Sequence, residues 1–240
     1  MFVGHYGPSF AIKAVRREIP LWLLFVAVQL LDFGWSVLVL LGVEKVRIVP
    51  GITASNPLDL YDMPYTHSLA AAILWAGAAI VLCKPVRGVR DWSAAALVGV
   101  AVFSHWVLDF LVHRPDLALY DNQGKVGLGI WNYPVIAFLL EALLLFGGMI
   151  LYLERTKPLR TIGRVGPPIF GVLMLGIQAY VFFGPPPASP AAAAVTALAA
   201  YVVFAAVAHW LDRHRVPLAS SMRSQQSRSR GPQTRRSSAG

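Results

Sequence analysis

Apolar runs of bilayer-spanning length, separated by basic clusters that recur at every second connection, leave this 240-residue chain few ways to fold. The hydrocarbon core of a bilayer takes about 20 apolar residues as helix. Runs of that kind lie at about 20–43, 67–83, 92–112, 132–153, 165–183 and 191–211. In hydrocarbon every backbone polar group must be bonded internally, which leaves helices or a closed barrel. The runs do not alternate polar with apolar residues, so the barrel is excluded. The expected fold class is all-α, a polytopic membrane helical bundle of about six transmembrane helices.

Composition agrees with a membrane solvent. Hydrophobic residues make up 56% of the chain and charged residues 14%, against roughly 25% charged in soluble domains. The basic residues orient the bundle. Lys13, Arg16 and Arg17 precede the first run; Lys84, Arg87 and Arg90 follow the second; Arg155, Lys157, Arg160 and Arg164 follow the fourth. Seven arginines between Arg213 and Arg236 follow the sixth. The intervening connections are neutral or acidic, so both termini are expected to be cytoplasmic. The first run continues past Asp32 without a small-x-small cleavage site, which reads as a spanning helix and not a removed signal.

Three regions follow: 1–19 as a cytoplasmic or re-entrant segment, 20–215 as the bundle, and 216–240 as an Arg/Ser-rich cytoplasmic tail of disorder-prone composition. The net charge of +9 is concentrated in that tail, where a topology anchor brushing anionic lipid explains it without nucleic acid. No nucleic-acid partner is expected. Cys83 is the only cysteine, so no intramolecular disulfide forms. The last two runs are rich in Ala and Gly and read as packing elements.

The chemistry-bearing residues lie in the other four runs. SHWVLDFLVH places His105 and Asp109 four residues apart, on one helical face. Asp32 falls near the middle of the first run, His67 opens the second after NPLDLYDMPYTH, and Glu141 sits at similar depth in the fourth. His113, beside Arg114 and Pro115, is expected at a solvated membrane edge. Each carboxylate near a span centre costs roughly 2.5–3.5 kcal/mol on the translocon scale. A cation shared by Asp32, His67, His105 and Asp109 would neutralise the acids and take electrons from the imidazoles. Imidazole with carboxylate suits zinc among divalent metals.

These residues also resemble a family of bacterial membrane-bound proteins described as metal-dependent hydrolases. The resemblance rests on GHYG, LLDFGW, PYTHS and SHWVLD, over roughly residues 1–155. It implies metal ligation by His5, Asp32, His67, His105 and Asp109, and a bacterial inner-membrane location. The family's Arg before THS is replaced here by Met63-Pro64-Tyr65, and a single Asp stands where DxD is common.

The expected function is hydrolysis of an ester or phosphoester, in a lipid head group or envelope metabolite, from the outer side. A bound metal would lower the pKa of its water toward about 7. Glu141 or Asp109 would take the proton, with Glu141 favoured because it comes from a separate helix. A non-catalytic membrane scaffold and an ion- or proton-coupled transporter are the competing classes.

Overall fold

The computed structural model describes residues 1–218, and the Arg/Ser-rich stretch from 219 onward lies outside the described residues. The described residues form eight α-helices: α1 Tyr6–Val15, α2 Leu21–Val28, α3 Leu30–Leu40, α4 Leu69–Leu82, α5 Trp92–Val112, α6 Pro134–Arg155, α7 Thr161–Phe183 and α8 Pro190–Asp212. Two short antiparallel ribbons close its ends. They pair β1 (Lys45–Ile48) with β2 (Leu58–Asp62) and β3 (Thr156–Pro158) with β4 (Arg215–Pro217). The all-α bundle is the architecture expected, with four helices long and apolar enough to span, or five counting the bent pair, among the described residues where about six were expected.

Among the described residues, α5 to α8 are each long and apolar enough to cross a bilayer. The first apolar run is instead a bent pair, α2 and α3, inclined by 53°. The helix breaks at Gln29, whose backbone leaves helical geometry and whose side-chain amide donates to the Phe2 carbonyl at 3.2 Å. The second run yields only the 14-residue α4, about 21 Å at 1.5 Å per residue and short of a ~30 Å core.

The helix ends follow from local chemistry. Ser68, Asp91 and Ser189 cap α4, α5 and α8, each side chain accepting from a backbone N–H three residues on. Pro134 and Pro190 occupy first-turn positions, where a missing N–H costs nothing. Pro167 lies inside α7 and cannot donate to the Gly163 carbonyl. Nη1 of Arg215, on β4, bonds that carbonyl instead.

The N-terminal segment lies inside the bundle. Tyr6 and Phe10 are buried against Phe25, Tyr152 and Phe204, and α1 packs chiefly along α6. A Cβ on Gly148 would meet the Gly7 carbonyl, and one on Gly7 the Leu144 carbonyl. Two glycines thus let the backbones touch, the device by which helices approach in lipid. Lys13, read from sequence as a loop charge, is buried. Its Nζ lies 2.7 Å from Asp212 and donates to the carbonyls of Arg17 and Ile19. Arg16 pairs with Asp91, and β3 with β4. The stretches around residues 13–19, 91 and 156–158 therefore gather at one end of the bundle with 212–217, as the alternating charges require.

Candidate metal centre

At the other half of the bundle, α5 carries His105 and Asp109 one turn apart, and His113 follows at its C-terminal cap. The helix stops there because Arg114 precedes Pro115, and a residue before proline is pushed out of the helical region. All three side chains are at most 3% exposed. His113 is therefore not solvated at a membrane edge, as its neighbours in sequence suggested. Its Nδ1 lies 2.8 Å from Asp116 and its ring packs against Trp131.

Around Asp109 the structure gathers every residue named from sequence as a ligand. Asp109 Oδ2 lies 3.1 Å from His105 Nε2, 3.7 Å from His67 Nε2 and 3.6 Å from His113 Nε2. Its Oδ1 lies 3.1 Å from His5 Nε2 and 2.6 Å from the α-amino group of Met1. Asp32 Oδ1 lies 3.3 Å from His67 Nε2 and 3.6 Å from His105 Nε2. His5 reaches the cluster because α1 lies within the bundle, and its ring stacks on His105 with centroids 3.8 Å apart. Two triads result, His5–His105–Asp109 and Asp32–His67–His105, each with ligand atoms within 4.8 Å of one another. His105 belongs to both.

The outer partners decide which nitrogens are free. His105 Nδ1 lies 2.7 Å from the Val28 carbonyl, which can only accept, so this nitrogen carries the proton. That carbonyl is available because the helix breaks one residue later. Thr66 gives its hydroxyl proton to Glu44 Oε2 at 2.7 Å, so its oxygen accepts from His67 Nδ1, also at 2.7 Å. Asp116 accepts from His113 Nδ1. With Nδ1 as the donor, each imidazole turns its Nε2 toward carboxylate oxygens. His105 Nε2 makes no hydrogen bond, although it lies 3.1 Å from Asp109.

Such contacts are satisfied either by a proton on Nε2 or by a cation shared between nitrogen and oxygen. Four ligand atoms at about 2.1 Å from a tetrahedral ion stand about 3.4 Å apart, close to the separations of 3.1–3.7 Å between imidazole nitrogens and carboxylate oxygens here. Nδ1 donation to a carbonyl, hydroxyl or carboxylate is also the usual way a ligating imidazole is oriented. Each triad supplies the imidazole and carboxylate donors that a divalent ion takes. Glu44, outside the spanning helices, braces this arrangement by accepting from Tyr65 N, Thr66 N and Thr66 Oγ1. Burial pushes its carboxyl above the usual range, against the pull of His67 and of those hydrogen bonds.

Glu141 lies elsewhere in the same half. Its Oε2 accepts from the N–H groups of Phe2 and Gly4, both at 3.0 Å, and its Oε1 from Gln178 at 2.9 Å. Oε2 holds the turn that carries His5, and Oε1 ties it to α7. The last two helices, read as packing elements, also touch the site: Gln178 of α7 bonds Glu141, and Tyr201 of α8 donates to Asp32 Oδ2 at 2.9 Å. A cavity of about 550 Å³ adjoins the cluster, and Asp32, His67, Asp109, His113 and Glu141 line it.

Comparison of the chain with protein-family models, with curated proteins and with solved structures finds no match.

Proposed function

We propose that this membrane protein is a metal-dependent hydrolase of an ester or phosphoester, of the kind its His, Asp, THS and HxxxD motifs resemble, in a bacterial inner membrane. One observation carries the reading: the Nε2 atoms of His67 and His105, their Nδ1 atoms bound elsewhere, face Asp32 and Asp109 beside a cavity. Zinc suits this donor set. When bound, such an ion supplies Lewis acidity toward the substrate oxygen and makes water nucleophilic near neutral pH.

The chain's own groups divide the remaining work. Asp32, His67, His105 and Asp109 hold the ion. His5 stacks on His105 and donates to Asp109 Oδ1, fixing both. Glu141 is a positioning residue, because its oxygens are taken up by the N-terminal turn and Gln178. The proton-accepting role then falls on His113: Asp116 fixes its tautomer, its Nε2 is bare, and it lines the cavity. Asp109 Oδ2 stands 3.6 Å from His113 Nε2 and 3.1 Å from His105 Nε2.

The test measures bound zinc and the release of phosphate or head group from a mixed lipid extract, for wild type, His105→Ala and His113→Gln. The reading requires near-stoichiometric zinc in wild type, loss of metal in His105→Ala, and loss of turnover with metal retained in His113→Gln. Stoichiometric zinc with no turnover on a broad ester and phosphoester panel would replace it with the scaffold reading.

A further inference from the structure

The cavity's lining extends beyond the cluster: besides Asp32 and His67 it includes Ile177 and Val181 of α7 and Ala193, Ala197 and Ala200 of α8. Tyr201 lines the cavity while its hydroxyl bonds Asp32.

The space exists because these two helices lean on different partners. α7 packs mainly on α6, and α8 on α2 and α3, so they meet each other only lightly. Alanine on the facing turns of α8 leaves the gap unfilled. Ile177 and Val181 are 41% and 48% exposed while also lining the cavity, and Thr196 across from them is exposed too. The cavity therefore has an opening between α7 and α8, two helices long and apolar enough to cross a bilayer, in addition to its lining by the Ser55–Leu58 and Pro185–Ala188 connections. A solute dissolved in water has no direct route through that opening. A bilayer amphiphile has one, with its chain in the slot and its polar group toward the ionisable cluster.

We infer that the slot between α7 and α8 is an acyl-chain site, and that the substrate class is a membrane lipid whose ester or phosphoester group reaches the Asp32/His67/His105/Asp109 cluster. The inference rests on the hydrolase reading for the reaction, but the slot itself is tested without turnover. Leaving lipid for the slot gains the chain no hydrophobic energy, since both are apolar. The slot therefore selects and aligns the substrate, and the head group supplies the affinity.

The experiment uses the full chain in lipid nanodiscs containing phosphatidylglycerol with a diazirine on its acyl chain. Photolysis is followed by peptide mapping, and zinc content is measured in parallel. Label is expected on peptides spanning 177–181 and 193–200, at least tenfold above the outward face of α6 at Leu139 and Leu143. Ala197→Phe should reduce slot labelling at least tenfold, whereas Val202→Phe on the exposed face of the same helix should not. Ala193→Phe serves as the second blocking variant should Ala197→Phe fail to fold. Zinc content should be unchanged in all three. Labelling no stronger than on α6, or undiminished in both blocking variants, overturns the slot. Slot labelling in a protein that binds no zinc leaves the acyl site standing and removes the hydrolase reading; zinc without slot labelling does the reverse.

Discussion

His105 donates from Nδ1 to the carbonyl of Val28 at 2.7 Å, across the break between α2 and α3. The break is what makes the acceptor available, because an unbroken helix would give that carbonyl to the amide of Asp32. It also delivers Asp32, in the first turn of α3, to 3.6 Å from the other nitrogen of the same ring. One irregularity in the first apolar run thus serves two members of the cluster.

Removing a ligand should be the most severe change. His105→Ala is expected to lower bound zinc to background, as measured by elemental analysis of purified protein. Helix content by circular dichroism should be retained, since a cavity replaces a ring that otherwise leaves a nitrogen unbonded.

The hydroxyl behind His67 gives a graded test. Thr66→Val removes the acceptor of His67 Nδ1 and one donor to Glu44. Loss of such an outer partner typically weakens metal binding about 10–100-fold. Competition with a zinc chelator should show a shift of that size, and an unchanged affinity would mean that Thr66 does not orient His67.

Metal retention should fall in acid. The imidazoles must be neutral to ligate, so protons compete with metal as pH drops. The sign is fixed: metal binding releases protons, and zinc affinity measured at pH 5.5 should be weaker than at pH 7.5. Equal affinity at both would argue against imidazole ligands.

The contact of α1 with α6 should have little tolerance. Gly148→Ala places a methyl group against the Gly7 carbonyl, forcing α1 outward. His5 and the backbone bonds to Glu141 move with it, so reduced thermal stability and weaker zinc binding should appear together. Loss of stability with zinc affinity intact would separate α1 from the site.

Arg215 offers a test remote from the cluster. Its guanidinium bonds the Gly163 carbonyl that Pro167 cannot serve, together with Thr156 and Leu153. Arg215→Met strands buried acceptors, each costing about 1–3 kcal/mol. Thermal unfolding should occur at lower temperature, with zinc stoichiometry unaltered.

Much of the cluster was legible because hydrocarbon makes ionisable residues conspicuous. Asp32, His67, His105 and Asp109 stand out within apolar runs, and period-3.6 spacing already places His105 with Asp109. What sequence misplaced depends on contacts without a local pattern. His113 looked solvated because Arg114 and Pro115 follow it, yet Asp116 and Trp131 fold back over it. Glu141 looked like a free base, and nothing local announces that the amides of Phe2 and Gly4 occupy it. Tyr201 and Gln178 were hidden by Ala- and Gly-rich surroundings that read as packing. The helix break at Gln29 has no proline or glycine to mark it, although a glutamine within an apolar run was a visible sign.

The seat of α1 against α6 bears on how the protein is made. Residues 6–15 leave the ribosome more than a hundred residues before the helix they pack on. Until α6 enters the membrane, α1 has neither the Gly148 groove nor the Glu141 carboxylate to receive it. The contact of α1 with α6 can therefore form only after synthesis is well advanced. His5 joins His105 only at that late step, so the finished cluster marks a completed bundle and a half-inserted chain does not present it.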